Sequence, residues 1–130
     1  MDEIGDYMSS PVLNIDSEST IQEAGQYMRV NGVGSLLVKE FGEFVGMITE
    51  TDLTRRVIAK GLNSETTKVA DVMTKPILSM DRYFPVDQAN EFMHQHNIRH
   101  LAVTEEDKIV GILSVKNLVS YYAKSFRMAE

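Results

Sequence analysis

The sequence predicts an α/β (α+β) fold of two βαββα repeats, residues 1–65 and residues 66–130, packed sheet to sheet with pseudo-twofold symmetry. The first reason is an ungapped internal match at a shift of 65 residues. Its identical pairs include Asp6 with Asp71, Met8 with Met73, Pro11 with Pro76, Gly46 with Gly111 and Leu53 with Leu118. The second reason is that short apolar stretches and helical spacing follow one another in the same order in each copy. Because three strands and two helices bury a sheet face poorly alone, we expect the repeats to cover each other's sheets.

Each repeat is expected to begin with a short strand after a Met-x-x-Pro sequence, and then to add a helix and two more strands. Polar turns at residues 40–43 and 105–108 join those last two strands. The predicted strands are Val12–Ile15, Ser35–Val38, Phe44–Ile48, Ile77–Met80, His100–Thr104 and Ile109–Leu113.

The helix between the first two strands has start signals in both repeats. In the first repeat, either Ser19 with Gln22 or Thr20 with Glu23 has the spacing of a capping box. In the second repeat, Pro85 suits the first helical position. Apolar residues recur at helical spacing as Ile21, Ala24, Met28 and as Val86, Ala89, Met93.

A closing helix is expected from about Thr51 to Lys60, with Gly61 as its stop. Polar residues 63–68 then form the predicted linker between the repeats. The closing helix of the second repeat has an apolar face of Val115, Leu118, Val119 and Tyr122.

Composition excludes several classes of protein. The net charge of −6 and the pI of about 5.0 argue against nucleic acid as a partner, because such surfaces cluster Lys and Arg. The chain has no cysteine, which excludes disulfides, zinc–thiolate sites and cysteine nucleophiles. No apolar run approaches the ~20 residues that span a bilayer, and the acidic start lacks the features of a signal peptide. We therefore expect no membrane association and a cytoplasmic location.

The sharpest local pattern closes the last strand of each repeat, at residues 46–52 and 111–117. A glycine is followed by a hydroxyl residue, Thr49 or Ser114, and three residues later by Asp52 or Asn117. Helix starts favour anions such as phosphate, and a carboxylate there can accept hydrogen bonds from both hydroxyls of a ribose. The same spacing also fits an ordinary helix cap without a ligand.

These motifs, the two Met-x-x-Pro sequences and the run 97–103 resemble a tandem pair of cystathionine β-synthase-type (CBS) domains, a Bateman module. The resemblance covers almost the whole chain. It implies a regulatory module that binds adenosine-containing ligands, such as AMP, ADP, ATP or S-adenosylmethionine, in clefts between the two repeats.

The resemblance implies two clefts, each joining one motif to residues of the other repeat. In the first, Asp52 is expected to hold the ribose, Thr49, Arg99 and His100 the phosphate, and apolar residues the adenine. The first cleft comprises Met47, Thr49, Asp52, Ile77, Leu78, Ala89, Arg99 and His100. The second comprises Val12, Leu13, Ala24, Gly34, Ser35, Ile112, Ser114, Lys116 and Asn117.

The second cleft departs from the family pattern. Asn117 replaces the acid and loses charge-assisted hydrogen bonds to ribose, while Gly34 and Ser35 replace two potential cations. Lys116 can meet a phosphate and compensate in part. We expect the first cleft to bind more tightly.

Other chemistry is not expected. His94 and His96 are two residues apart on a predicted helix and do not face each other, so we predict no metal site. No nucleophile, base and acid form a set, so we predict no enzyme and no cofactor beyond the regulatory ligand. The alternative function is a structural or dimerisation adaptor.

Association is expected at the end of the chain. Tyr121, Tyr122 and Phe126 offer aromatic surface on the last helix, which predicts a homodimer. A regulated protein is a further possible partner.

Overall fold

The computed structural model describes residues 2–129 and divides the chain into two compact units. The central unit is Leu13–Ile77, and the composite unit joins residues 2–12 to residues 78–129. Each unit contains one three-stranded sheet with helices, which confirms the mixed α/β class. The units do not follow the boundaries of the sequence repeats, because the first twelve residues belong with the sheet of the second repeat.

The central unit contains a sheet of order β1-β2-β3. Its elements are β1 (Asn14–Asp16), α1 (Ile21–Asn31), β2 (Ser35–Glu40), β3 (Glu43–Thr49), α2 (Glu50–Asp52), a π-helix (Leu53–Ile58) and α3 (Val69–Val72). Strand β1 runs parallel to β2, and β2 runs antiparallel to β3. The first strand starts two residues later than the sequence predicts, since ladder pairing begins at Asn14 opposite Leu37.

The hairpin between β2 and β3 has a two-residue loop. Glu40 pairs with Glu43, and both Phe41 and Gly42 have positive φ, at 52° and 81°. A loop of this kind matches the right-handed twist of the strands it joins. The polar turn predicted at residues 40–43 is thereby confirmed.

Helix α1 starts at one of the two capping boxes that the sequence allows. The Glu23 amide donates to the Thr20 hydroxyl at 3.2 Å, and the Thr20 amide donates to the Glu23 carboxylate at 3.0 Å. The helix ends at Gly32, whose φ of 64° is a conformation that favours glycine.

The closing helix of the central unit differs from the expected helix over residues 51–60. Only Glu50–Asp52 is α-helical, and Leu53–Ile58 continues as a π-helix with wider turns. This geometry accompanies a buried Val57 and a guanidinium at Arg56 that reaches back to Asp52. Gly61 ends the segment with a φ of 68°, as the sequence predicts.

The core of the central unit lies between α1, the inner faces of β2 and β3, and α3. Burying side chains of this size stabilises the fold by about 1.5–3 kcal/mol each. The cluster consists of Ile21, Ala24, Met28, Leu36, Val38, Ile48, Val57, Val69, Val72 and Met73.

The composite unit repeats this architecture with a sheet of order β4-β5-β6. Its elements are a short 3-10 helix (Ile4–Asp6), β4 (Ser79–Asp81), α4 (Val86–Gln95), β5 (His100–Glu105), β6 (Lys108–Ser114) and α5 (Val115–Ala129). The β5–β6 register repeats that of β2–β3 at the shift of 65 residues. Pro85 is the N-cap residue of α4, so the helix begins one residue later, at Val86, than the sequence predicts.

The core of this unit collects apolar residues from both of its chain segments. Ile4, from the start of the chain, is fully buried among residues of α4, β5, β6 and α5. The cluster consists of Ile4, Val86, Ala89, Met93, Leu101, Val103, Leu113 and Leu118.

Candidate functional site

The Thr49–Asp52 motif lies where β3 ends and α2 begins. The Thr49 amide donates to Oδ2 of Asp52 at 3.0 Å, and the Asp52 amide donates to the Thr49 hydroxyl at 3.3 Å. The Thr49 hydroxyl also donates to Oδ2 at 3.1 Å. These are the reciprocal bonds of a capping box, so the motif caps its helix in addition to any other role.

The second oxygen of Asp52 is also occupied. The Thr74 hydroxyl donates to Oδ1 at 2.8 Å, and Nε of Arg56 lies 3.6 Å from the same oxygen. Asp52 is only 4% exposed, and a buried carboxylate requires partners of this kind. Arg56 also donates to the carbonyls of Val72 and Met73, at 3.4 and 3.2 Å. The acid therefore ties residues 72–74 to the start of the closing helix.

The backbone of the same segment pairs with β3. Met47 and Thr74 exchange two hydrogen bonds, of 2.9 and 2.8 Å. Gly46 allows this approach, because a Cβ there would lie 2.7 Å from Sδ of Met73 and 2.9 Å from the Thr74 carbonyl. Gly46 and Met73 thus have a structural role, because they allow the Met-x-x-Pro segment to pack closely against β3.

The Ser114–Asn117 motif forms the same cap in the composite unit. The Ser114 amide donates to Oδ1 of Asn117 at 2.8 Å, and the Asn117 amide donates to the Ser114 hydroxyl at 3.3 Å. Ser9 and Ile112 exchange backbone bonds of 2.8 and 3.0 Å, as Thr74 and Met47 do. The side-chain link is weaker, because Nδ2 of Asn117 lies 3.4 Å from the Ser9 hydroxyl and carries no charge.

The remaining residues expected in the first cleft lie in both units. Met47, Thr49, Asp52 and Ile77 belong to the central unit, whereas Leu78, Ala89, Arg99 and His100 belong to the composite unit. Ala89 is fully buried in the core. Arg99 and His100 lie beside the Ser114 motif of their own unit, with the Val115 amide bonded to the Arg99 carbonyl at 3.1 Å. Their combination with Asp52 remains a prediction.

The second expected set is divided in the same way. Leu13, Ala24, Gly34 and Ser35 belong to the central unit, and Val12, Ile112, Ser114, Lys116 and Asn117 belong to the composite unit. Ala24 is a core residue, and the Glu50 amide bonds to the Gly34 carbonyl at 3.0 Å. Ser35 pairs with Thr49 across β2 and β3, so these two hydroxyl residues are neighbours within one unit.

Sequence reasoning missed Thr74 as a partner of Asp52. The available signal was a hydroxyl residue directly after the methionine in both Met-x-x-Pro sequences, Thr74 and Ser9. Arg56 is a second partner of Asp52, and its position four residues after the acid suits an ion pair on a helix.

A groove of about 620 Å³ lies between α4 and α5 of the composite unit. Met93, Ile98, Leu118 and Val119 contribute apolar surface to it, and Tyr122 borders it. Burial of the hydroxyl and its 2.9 Å hydrogen bond to Asp87 raise the pKa of Tyr122 to about 12.

Within residues 2–129, no three His, Asp or Glu side chains come together in a group that could hold a metal ion. Over the same range, no helix has the length and apolar character needed to cross a membrane.

Two tandem sheet-and-helix repeats, each with a capped Gly-to-Asp or Gly-to-Asn motif, define a paired-repeat module. The family model for the CBS domain matches residues 4–59 and residues 69–124, and the chain belongs to this family.

Known proteins support the assignment. The CBS domain-containing protein YhcV of Bacillus subtilis is 32% identical over 118 residues, which cover 91% of this chain and 84% of that protein. An uncharacterised conserved protein from Pyrococcus horikoshii has a crystal structure that matches with a TM-score of 0.87 and 33% identity, covering 94% of this chain and 95% of the other. The CBS domain pair of protein MJ0100, solved with 5′-methylthioadenosine and S-adenosyl-L-methionine, matches with a TM-score of 0.84 at 22% identity, covering 95% of this chain and 98% of the other.

Proposed function

We propose that this chain is a regulatory module that binds an adenosine-containing ligand in a cleft between its two CBS repeats. The observation that carries the proposal is the buried Asp52 just after β3, whose Oδ1 accepts a hydrogen bond from a hydroxyl, that of Thr74, which a ribose hydroxyl can replace. The adenosyl compounds held by the MJ0100 pair are ligands of the same chemical class.

The proposed first cleft separates its tasks by chemistry. Asp52 accepts hydrogen bonds from ribose hydroxyls, while Thr49, Arg99 and His100 face the phosphate. The apolar residues assigned to the adenine are Met47, Ile77, Leu78 and Ala89. Hydrogen bonds to a charged group contribute about 1.5–3 kcal/mol, so the carboxylate is the main anchor of this cleft.

The proposed second cleft binds more weakly. Asn117 offers the ribose neutral hydrogen bonds, and Gly34 and Ser35 carry no charge towards a phosphate. Lys116 is the one cation in the set that we assign to this cleft.

The proposal concerns regulation and not catalysis. In the structure, the donors and acceptors of both motifs serve helix caps and segment contacts. A module of this kind acts by changing its own shape or its contact with another protein, in the cytoplasm where adenine nucleotides are abundant.

Titration calorimetry with AMP, ATP and S-adenosylmethionine tests the function. We expect at least one of them to bind, and Asp52→Ala to weaken binding roughly 10- to 100-fold. Asn117→Ala is the matched control and should change the affinity of the first cleft little. Unchanged affinity in Asp52→Ala contradicts the assignment of the cleft, and failure of all three ligands to bind contradicts the function.

The alternative role as a dimerisation module has its own observation. Val115, Val119, Tyr122 and Phe126 are exposed on α5 at the four-three-four spacing of a helix-pairing seam. Helix α5 carries Lys and Arg but no acid, whereas α4 beside it carries Asp87 and Glu91 but no Lys or Arg. Across a twofold axis, the basic α5 of one copy can lie against the acidic α4 of the other, and the apolar seams can pack together. We therefore propose a homodimer through this face.

A further inference from the structure

The carboxylate of Asp52 has little capacity left for a ribose. A carboxylate offers about four acceptor positions. In the structure, Oδ2 accepts from the Thr49 amide and hydroxyl, while Oδ1 accepts from the Thr74 hydroxyl and faces Arg56. The Asp52 side chain is only 6% exposed. Two ribose hydroxyls therefore require one of these protein donors to leave.

Thr74 is the donor whose departure disturbs the least structure. The Thr49 bonds are part of the cap that starts the helix, so breaking them frays the motif. Thr74 is held in place separately, because its backbone exchanges two hydrogen bonds with Met47. Rotation about its χ1 angle moves the hydroxyl away from Oδ1 and leaves that backbone bridge intact.

We propose that Thr74 gates Asp52: its hydroxyl occupies the acceptor position that a ribose hydroxyl takes, so adenosine compounds bind in competition with the Thr74–Asp52 hydrogen bond. This inference rests on the proposed adenosyl function of the first cleft. Release of Asp52 also loosens one of the side-chain ties on residues 72–77.

Loss of the Thr74–Asp52 hydrogen bond offers a way for ligand binding to affect the rest of the protein. The segment that carries Thr74 runs on to Ile77, the last residue of the central unit, and the chain enters the composite unit at Leu78. A ligand that displaces the Thr74 hydroxyl therefore removes a side-chain contact close to one of the two chain connections between the units.

The other motif provides an internal comparison. Ser9 occupies the position equivalent to Thr74, but it accepts a long bond of 3.4 Å from a neutral amide. Removal of the Ser9 hydroxyl should therefore leave ligand affinity almost unchanged.

Calorimetry with adenosine tests the gate on four proteins: the wild type, Thr74→Val, Thr74→Ser and Ser9→Ala. Valine keeps the shape of threonine without the competing hydroxyl, so Thr74→Val should bind adenosine roughly tenfold more tightly. Thr74→Ser keeps the hydroxyl and should match the wild type, as should Ser9→Ala. Equal or weaker binding by Thr74→Val overturns the gate and leaves the adenosyl function standing. Absence of adenosine and AMP binding in all four proteins overturns the function and the gate together.

A second measurement avoids substitution altogether. Three-bond NMR couplings report the χ1 angle of Thr74 in the wild-type protein. We expect a different rotamer at saturating adenosine, and the same rotamer in the saturated protein contradicts the gate even if Thr74→Val does not fold.

Discussion

At the scale of single residues, the two Gly-to-Asp and Gly-to-Asn motifs differ in charge at their last position. Asp52 is a buried anion that binds a hydroxyl at 2.8 Å, whereas Asn117 is a neutral amide whose contact with Ser9 measures 3.4 Å. Charge-assisted hydrogen bonds are roughly twice as strong as neutral ones. The same substitution that weakens the expected ribose site therefore also weakens the hold on the neighbouring segment.

Gly46→Ala should destabilise the protein by about 1–3 kcal/mol, in the range of an overpacked core. The added methyl group would lie 2.9 Å from the Thr74 carbonyl, which is held in the backbone bridge and cannot move freely. Gly25→Ala is the control, because nothing lies within 4 Å of its Cβ position inside α1. That change should stabilise the helix by about 0.5–1 kcal/mol. Urea unfolding measures both, and equal stability of the two variants contradicts the close approach.

Arg99→Ala should weaken AMP binding roughly tenfold and leave adenosine binding unchanged, because only AMP offers a phosphate to the guanidinium. Lys108→Ala removes an exposed cation at the start of β6 and serves as the control. Calorimetry with the two ligands measures the contrast. Equal losses for AMP and adenosine in Arg99→Ala contradict the phosphate role.

At the scale of elements, the closing helices of the two units differ in type and length. In the central unit the helix becomes a π-helix after three residues, and in the composite unit it continues as α5 through Ala129. Arg56 contacts the Val72 carbonyl, and at the equivalent positions the ring of Tyr121 packs edge-on against Tyr7 at 5.0 Å. A polar contact and an aromatic one thus secure equivalent segments.

The contact between α4 and α5 should depend on pH. The pKa of Tyr122 is raised from 10.0 to about 12 by burial and by Asp87, so the phenol stabilises the fold fully below pH 10 and loses this effect as pH rises towards 12. Because Tyr122 is 39% exposed, the contribution should stay below about 1 kcal/mol. Denaturant unfolding of the wild type and Tyr122→Phe at pH 8 and above pH 10 measures it. A stability gap that stays constant with pH contradicts the Asp87 contact.

At the scale of the whole molecule, the exposed apolar seam of α5 (Val115, Val119, Tyr122 and Phe126) is the surface through which we propose that two copies associate. Val119→Glu should convert the proposed dimer to a monomer, because it places a carboxylate in the middle of the proposed apolar contact. Val30→Glu is the control, since Val30 is 73% exposed on α1 of the central unit and lies outside the seam. Light scattering at micromolar concentration measures the mass, and circular dichroism checks the fold. A monomeric wild type contradicts the seam as a dimer contact.

Local patterns in the sequence predict most of the elements and part of the site. The hairpin turns and the stop at Gly61 follow from the chemistry of neighbouring residues. The cap of α1 follows to within two alternatives, of which the structure forms the one at Thr20. The hydrogen bond from Thr74 to Asp52 joins residues 22 positions apart, and no periodicity encodes it. The π-helix also escapes prediction, because apolar spacing does not distinguish its turns from those of an α-helix.

Each Met-x-x-Pro segment packs on the sheet of the other repeat, and this arrangement determines whether one repeat can fold alone. Residues 4–12 pack with the sheet of the second repeat, and residues 69–77 pack with the sheet of the first. A fragment ending at residue 65 would expose the edge of β3 at Met47 and carry a segment suited to a different sheet. Such a fragment could complete its sheet only by exchanging Met-x-x-Pro segments with a second molecule. In the tandem chain the same exchange is intramolecular, so completion of the two sheets does not depend on protein concentration.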